Sequence, residues 1–242
     1  MTVSKSLKLI LPRIPKNGST SFTAWIAEQD KSLTYDDTIE HSCLNHYGNL
    51  VVEEYKEDIG DYDVVLVGRN PFKRQVSAFE YNIMLNRPLP LIGNIDSTFE
   101  EFYSTMEIKH LNTWSTEWDV GQEFLNQHHT FLREGHPAIS ISDIKFVKLE
   151  NFVEEMTELG YNITELPVLN HHTSIESKKN QKGFLQESVN WPPTQGSNYI
   201  VKDWSFYYGK SEIVQKIQEL YKYDFMFWGY DPNINPYTEE PW

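Results

Sequence analysis

Three short apolar runs decide most of what this chain can fold into. Leu7–Leu11, Asp63–Arg69 ("DVVLVGR") and Ile144–Lys148 ("IKFVK") each break off at turn chemistry and give way to a helix-forming stretch. A continuous apolar run suits a strand buried on both faces. Strands interleaved with helices imply an α/β domain around a mainly parallel sheet. In such sheets ligands gather at the carboxyl ends of the strands, so function is to be sought just after each run.

After the first run comes "PRIPKNGSTSFTAWI", Pro12 to Ile26. A helix is expected to start at Ser19 to Ser21, whose hydroxyls can cap free amides, and to run through Phe22, Trp25 and Ile26. A strand–turn–helix with small residues at the helix start presents free N–H groups and the positive end of the helix dipole, which together suit an anion. Gly18 lets the backbone come close, Ser19, Thr20 and Ser21 add hydroxyls, and Lys16 and Arg13 add charge. Lys16 precedes the glycine by two residues, whereas a triphosphate loop ends in Gly-Lys-Ser/Thr. A capped helix beside a surface lysine is the plainer reading of the same residues.

The second run ends in Arg69 and opens "NPFKRQVSAFEYNIML". Asn70 as N-cap and Pro71 at the first helical position start a helix, with Phe72, Val76, Phe79 and Ile83 at helical spacing. Ser77 follows Arg69 by eight residues, about two turns into that helix. A guanidinium at a strand end and a hydroxyl on the next helix can hold a second phosphate, the arginine as a bidentate fork. Arg74 lies one turn before Ser77. Alone, Arg69 reads equally as an ion pair at the sheet edge.

Elsewhere residues 87–98 read as a loop, 99–109 and 119–134 as helices, and 151–159 as the helix after the third run. Residues 167–204 are polar and turn-rich, and long loops of that kind tend to be functional or disordered. A last helix over 211–223 precedes an aromatic tail, whose Phe225, Phe227, Trp228 and Tyr230 read as core. Trp114, Trp118 and Trp191 could stack on a sugar, with burial the plainer reading. At 242 residues the chain suits a single domain, residues 1–242.

The formal net charge of −14 weighs against nucleic acid as a partner, since phosphate neutralisation by Lys and Arg drives such binding. No stretch has the roughly 20 apolar residues that span a bilayer, and the first residues lack the apolar core of a signal peptide. One cysteine, Cys43, fits a reducing compartment. A soluble, cytoplasmic protein without a membrane partner is expected. No metal is expected either. His41 and His46 are five apart, His128–His129 and His171–His172 are adjacent, and no acidic partner stands at ligand spacing.

"PKNGSTS" resembles the 5′-phosphosulfate loop, and "VGRNPFKRQVSAF" the 3′-phosphate motif, of sulfotransferases that use 3′-phosphoadenosine 5′-phosphosulfate (PAPS). "FVKLENF", "LPVLNHHTS" and "YYGKSEIVQKIQELYKYDFMFWGY" are similar, in family order, to its third strand and turn, its Leu-Pro-x-Leu-Asn segment and its C-terminal helix and ending. The set spans residues 8 to 230 and is most similar to the carbohydrate sulfotransferases of the heparan 2-O- and chondroitin type, in a soluble bacterial or phage-like form. The resemblance implies a P-loop-like three-layer fold, with a central mainly parallel sheet flanked by helices. It implies PAPS as co-substrate and 3′-phosphoadenosine 5′-phosphate (PAP) as product, with no metal. Lys16, Gly18, Ser19, Thr20 and Ser21, with Arg13 and Asn17 in the same loop, would surround the phosphosulfate, and Arg69 and Ser77 would hold the 3′-phosphate. Gly68 departs from the pattern, since the family often has a larger apolar residue there.

Sulfuryl transfer to a hydroxyl needs charge stabilisation at the leaving oxygen, which falls to Lys16, and a base near neutral pH. Relatives often carry a histidine 22 to 26 residues before the motif arginine. His41 stands 28 before Arg69 and His46 stands 23, so spacing does not choose; the "HSC" context favours His41. A carboxylate, Glu40 included, is the other option, and either histidine could be a packed or surface residue. In "TSIESKKNQKG", Lys178 and Lys179 could reach the 3′-phosphate, though lysine-rich loops are commonly just solvated. The acceptor is expected to be a hydroxyl-bearing glycan or small molecule. Two other classes stay open: a small-molecule or nucleoside kinase, and a non-catalytic nucleotide- or glycan-binding module on the same fold.

Overall fold

The computed structural model describes residues 2–4, 6–12, 14–29, 61–84, 97–112, 124, 126–127, 144–166 and 204–242. They fall into two compact units.

The first unit is built on a four-stranded sheet in the order β1 (Thr2–Ser4), β2 (Leu9–Leu11), β3 (Asp63–Gly68), β4 (Ile144–Lys148). β2, β3 and β4 run parallel, as the apolar runs require, and β1 adds an antiparallel edge in which Thr2 faces Leu11. The first strand is shorter than the predicted Leu7–Leu11. A turn over residues 6–8, where Ser4 Oγ accepts the Leu7 N–H at 3.2 Å, folds the chain back into β1 instead.

Alternation sorts the strand residues onto two buried faces. On one, Leu9, Leu11, Val65, Val67 and Val147 meet Phe22, Trp25 and Ile26 of α1 (Ser19–Gln29) and Phe152 and Met156 of α5 (Phe152–Glu158). Phe152 stacks on Phe22 at 5.9 Å and takes the edge of Trp25 at 5.9 Å. On the other face, Ile10, Val64, Leu66 and Ile144 pack with Ile14, Tyr62 and Trp228. A 3₁₀ turn, Leu149–Asn151, leads from β4 into α5. At the amino end of β3, Asp63 takes Lys145 Nζ at 2.7 Å and the Tyr161 hydroxyl at 2.9 Å. The carboxyl ends of β2, β3 and β4 are thereby left to the loop at 12–18, to Arg69 and to Glu150.

The second unit is helical: α2 (Pro71–Met84), α3 (Phe99–Thr105), α4 (Ile108–Asn112), α6 (Trp204–Tyr208), α7 (Ser211–Leu220) and α8 (Lys222–Trp228) through Met226, with the tail from Asp231. Phe72 and Phe99 centre its aromatic core, Phe72 against Tyr208, Phe225 and Trp242, and Phe99 against Phe79, Tyr103 and Tyr207. α2 buries polar side chains as well as Phe72 and Phe79. Arg74, Gln75, Glu80 and Asn82 are all buried, with Tyr103 donating to Gln75 at 2.9 Å and Tyr207 donating to Glu80.

Several expected elements differ. The helix expected over 99–109 is two, because Met106 turns extended (ψ 137°) and breaks it. The last helix ends at Leu220 rather than 223, and the aromatic tail itself begins as α8. α6 falls at the end of a stretch read as loop. Of the four tail aromatics expected in the core, Phe225 and Trp228 are buried, Phe227 is exposed and Tyr230 half-buried. The expected helix over 119–134 and the polar stretch from 167 lie wholly or mostly outside the described residues.

Candidate functional site

The loop after β2 is shaped by its backbone. φ is +70° at Lys16 and +77° at Gly18, with Asn17 between them on the ordinary negative side. Between them the Asn17 N–H closes a tight turn on Ile14 O at 3.3 Å, so the donors that can meet an anion are those at the start of α1. Glycine at 18 suits its positive φ, and a Cβ there would come within 2.6 Å of Leu149 Cδ1, so that side-chain end would have to shift. Helical bonding in α1 begins with the Ser21 and Phe22 N–H groups on Gly18 O, at 2.9 and 3.2 Å. The amides ahead of that point are the ones a helix leaves to outside partners.

Lysine in a left-handed conformation is strained by roughly 1–2 kcal/mol, and the loop is held from the neighbouring strand. Arg69, one residue beyond β3, donates from Nη1 to Lys16 O at 2.9 Å. Asn17 is fully buried and donates from Nδ2 to Val67 O at 2.7 Å and to Gln127 Oε1 at 2.6 Å. Gln127, also fully buried, clasps the Arg69 peptide: its Oε1 accepts the Arg69 N–H at 2.9 Å and its Nε2 donates to Arg69 O at 2.8 Å.

The third strand end contributes Glu150. Its Oε1 accepts the Asn70 N–H at 3.1 Å and its Oε2 the Tyr230 hydroxyl at 2.6 Å. Burial and the Glu150 carboxylate push the Tyr230 phenol well above its ordinary value, so it stays a donor. Lys148 reaches Gly229 O at 3.1 Å and lies 4.9 Å over the Tyr230 ring. The "GY" of the C-terminal segment is thus tied to the end of β4.

Of the residues singled out in the sequence, Lys16, Asn17, Gly18 and Arg69 come together here, with Ser19, Thr20 and Ser21 in the first turn of α1 and Ser21 buried. Ser77 is half-buried on α2, within the other unit. Arg13, Glu40, His41, Cys43, His46, Lys178 and Lys179 lie outside the described residues. Gln127 and Glu150 escaped the sequence reading. Gln127 sits in a stretch read as helix, where nothing marks one glutamine as buried, whereas Glu150, in "KLENF", had only its place just past a strand end to mark it.

Among the described residues no group of three His, Cys, Asp or Glu side chains could hold a metal, and no helix is long and apolar enough to cross a membrane. The turn at Lys16–Gly18, with the Arg69 guanidinium bonded to its carbonyl, lies inside the stretch that matches a known family. The model of the sulfotransferase family covers residues 1–231. The chain belongs to the sulfotransferase family. Searches of curated proteins and of solved structures each gave no significant match. Membership makes sulfuryl transfer the general chemistry of this sulfotransferase, and a hydroxyl-bearing acceptor follows from it. Family membership lends nothing to a kinase or to a non-catalytic binding module.

Proposed function

We propose that the chain transfers the sulfuryl group of PAPS to a hydroxyl of a carbohydrate, working as one domain over residues 1–242 with a P-loop-like three-layer fold. One observation carries the reading: the alternating loop at Lys16–Gly18 bonded through Lys16 O to the Arg69 guanidinium. Those residues suit an anion with two separated charged groups. PAPS, when bound, supplies a sulfuryl group on a good leaving nucleotide. The loop amides, Lys16, Ser19, Thr20 and Ser21, with Arg13 and Asn17 nearby in sequence, hold the 5′ end. Arg69 and, on the family resemblance, Ser77 hold the 3′-phosphate, with Lys178 or Lys179 adding charge.

Lys16 neutralises the charge that develops at the bridging oxygen, the kind of electrostatic support that is typically the largest single contribution. His41 takes the proton of the acceptor hydroxyl; His46 or a carboxylate such as Glu40 is the second choice. The acidic balance of −14 leaves room for neutral sugars, lipids and small hydroxyl compounds and weighs against nucleic acid; no membrane partner is part of the reading. A soluble cytoplasmic enzyme with no metal completes the reading.

Transfer of ³⁵S from labelled PAPS to a panel of neutral and acidic sugars tests it. Turnover is expected with at least one hydroxyl acceptor, and Lys16→Ala is expected to lower kcat by about 10²–10³. Between His41→Ala and His46→Ala, the base is the one whose loss costs about 10²–10⁴. No transfer to any hydroxyl, or full turnover by Lys16→Ala, would count against the assignment.

A further inference from the structure

We propose that Gln127 is a positioning residue for the donor site: its buried carboxamide fixes the Arg69 peptide, and through it the guanidinium that meets the loop. The inference rests on the preceding reading of Arg69 as a ligand of the 3′-phosphate.

β3 pairs with β4 only as far as Gly68, opposite Lys148, so Arg69 is the first residue past the ladder. A strand normally frays at that point, yet Arg69 must hold its place if its side chain is to meet a phosphate. Gln127 supplies the missing partner. Its amide makes a two-point clasp on Arg69, N–H to Oε1 at 2.9 Å and Nε2 to O at 2.8 Å, as a neighbouring strand would. The same Oε1 takes Asn17 Nδ2 at 2.6 Å, and Asn17 Nδ2 also holds Val67 O at 2.7 Å. The loop and the strand end are thereby locked to one carboxamide, and the Arg69 Nη1 bond to Lys16 O closes the circuit.

A glutamine fully removed from water is disfavoured unless its polar atoms are satisfied. Here both carboxamide ends are used, on residues of the site. An apolar side chain of similar size would strip three groups of a buried partner: the Arg69 N–H, the Arg69 carbonyl and Asn17 Nδ2. Asn17 Nδ2 would keep Val67 O, but the Arg69 peptide would lose its two-point hold, and binding sites tolerate little displacement of their ligating groups.

The test uses the full chain and two nucleotides, PAP and adenosine 5′-monophosphate, which lacks the 3′-phosphate. Affinities are measured by calorimetry for the wild type, Arg69→Ala, Gln127→Met and the double variant, with thermal unfolding in parallel. The wild type is expected to prefer PAP. Gln127→Met should lower that preference by roughly tenfold or more, and adding it to Arg69→Ala should lower the preference no further. A purely structural glutamine would lower Tm and leave the ratio of the two affinities alone, and that result would overturn the proposal.

Should Gln127→Met not fold, Gln127→Glu decides. It keeps an acceptor for Arg69 N–H and Asn17, but loses the donor to Arg69 O and adds a negative charge. The positioning role then requires the preference for PAP to fall equally at low and high salt, whereas a fall that high salt abolishes is the charge alone and overturns the proposal. A wild type with no preference for PAP defeats the donor reading itself. A preference lost in Arg69→Ala but kept in both Gln127 variants leaves that reading standing and removes Gln127 from the site.

Discussion

Gly68 shows how one glycine lets an indole from far along the chain pack against a strand. A Cβ at this position would lie 2.1 Å from Trp228 Cδ2, so the indole packs directly on the strand backbone. The space that a side chain at 68 would take is filled by Trp228. Gly68→Ala is therefore expected to destabilise by about 1–3 kcal/mol through overpacking, read from the urea midpoint, and Trp228→Leu in the same chain should recover part of the loss. Equal stability of Gly68→Ala and the wild type would contradict the packing. Lys16, Gly18 and Arg69 were legible in the sequence because each sits just past an apolar run, where backbone constraint and charge coincide. Gln127 was not. Its partners lie 58 and 110 residues away along the chain, and nothing local in "EFLNQHHT" distinguishes a buried clasp from a solvated side chain.

At the scale of elements, the parallel strands were readable from their apolar runs, and β4 keeps its predicted bounds, Ile144–Lys148. β1 was not, since three residues carry no period and their pairing depends on the turn that returns them to Leu9–Leu11. The split between α3 and α4 was hidden by apolar residues that continue across it. It is marked instead by caps. At the end of α3 the Met106 N–H bonds back to Tyr103 O at 3.3 Å, whereas its start is closed by a reciprocal capping box of Thr98 and Glu101. On α4, His110 Nδ1 accepts the Glu107 N–H at 3.0 Å, so its proton sits on Nε2. Burial foremost, then the Lys109 ammonium, lowers the His110 pKa, partly opposed by Glu107. A histidine that is harder to protonate in the folded state than in the unfolded one stabilises the fold above its unfolded value, near 6.5. That contribution is lost as pH falls from there through the lower folded value, because the unfolded chain takes up more protons. The urea midpoint should therefore drop between pH 7.5 and 5.5, and His110→Gln, whose carbonyl can still accept from Glu107, should drop less. An equal drop in both would place the acid sensitivity elsewhere.

For the whole molecule, the net charge is −14, whereas Lys16 and Arg69 both stand past strand ends of the parallel sheet. The family match covers residues 1–231, and the turn at Lys16–Gly18 with its bond to Arg69 lies within that span. The central claim is that the loop and Arg69 recognise a nucleotide bearing separate 5′ and 3′ anionic groups, and it reduces to one measurement. Calorimetric titration of the wild type and Arg69→Ala, each with PAP and with ATP, should show PAP bound well ahead of ATP by the wild type and that lead lost in the variant. Equal binding of the two nucleotides by the wild type, or a lead for PAP that survives Arg69→Ala, would contradict it.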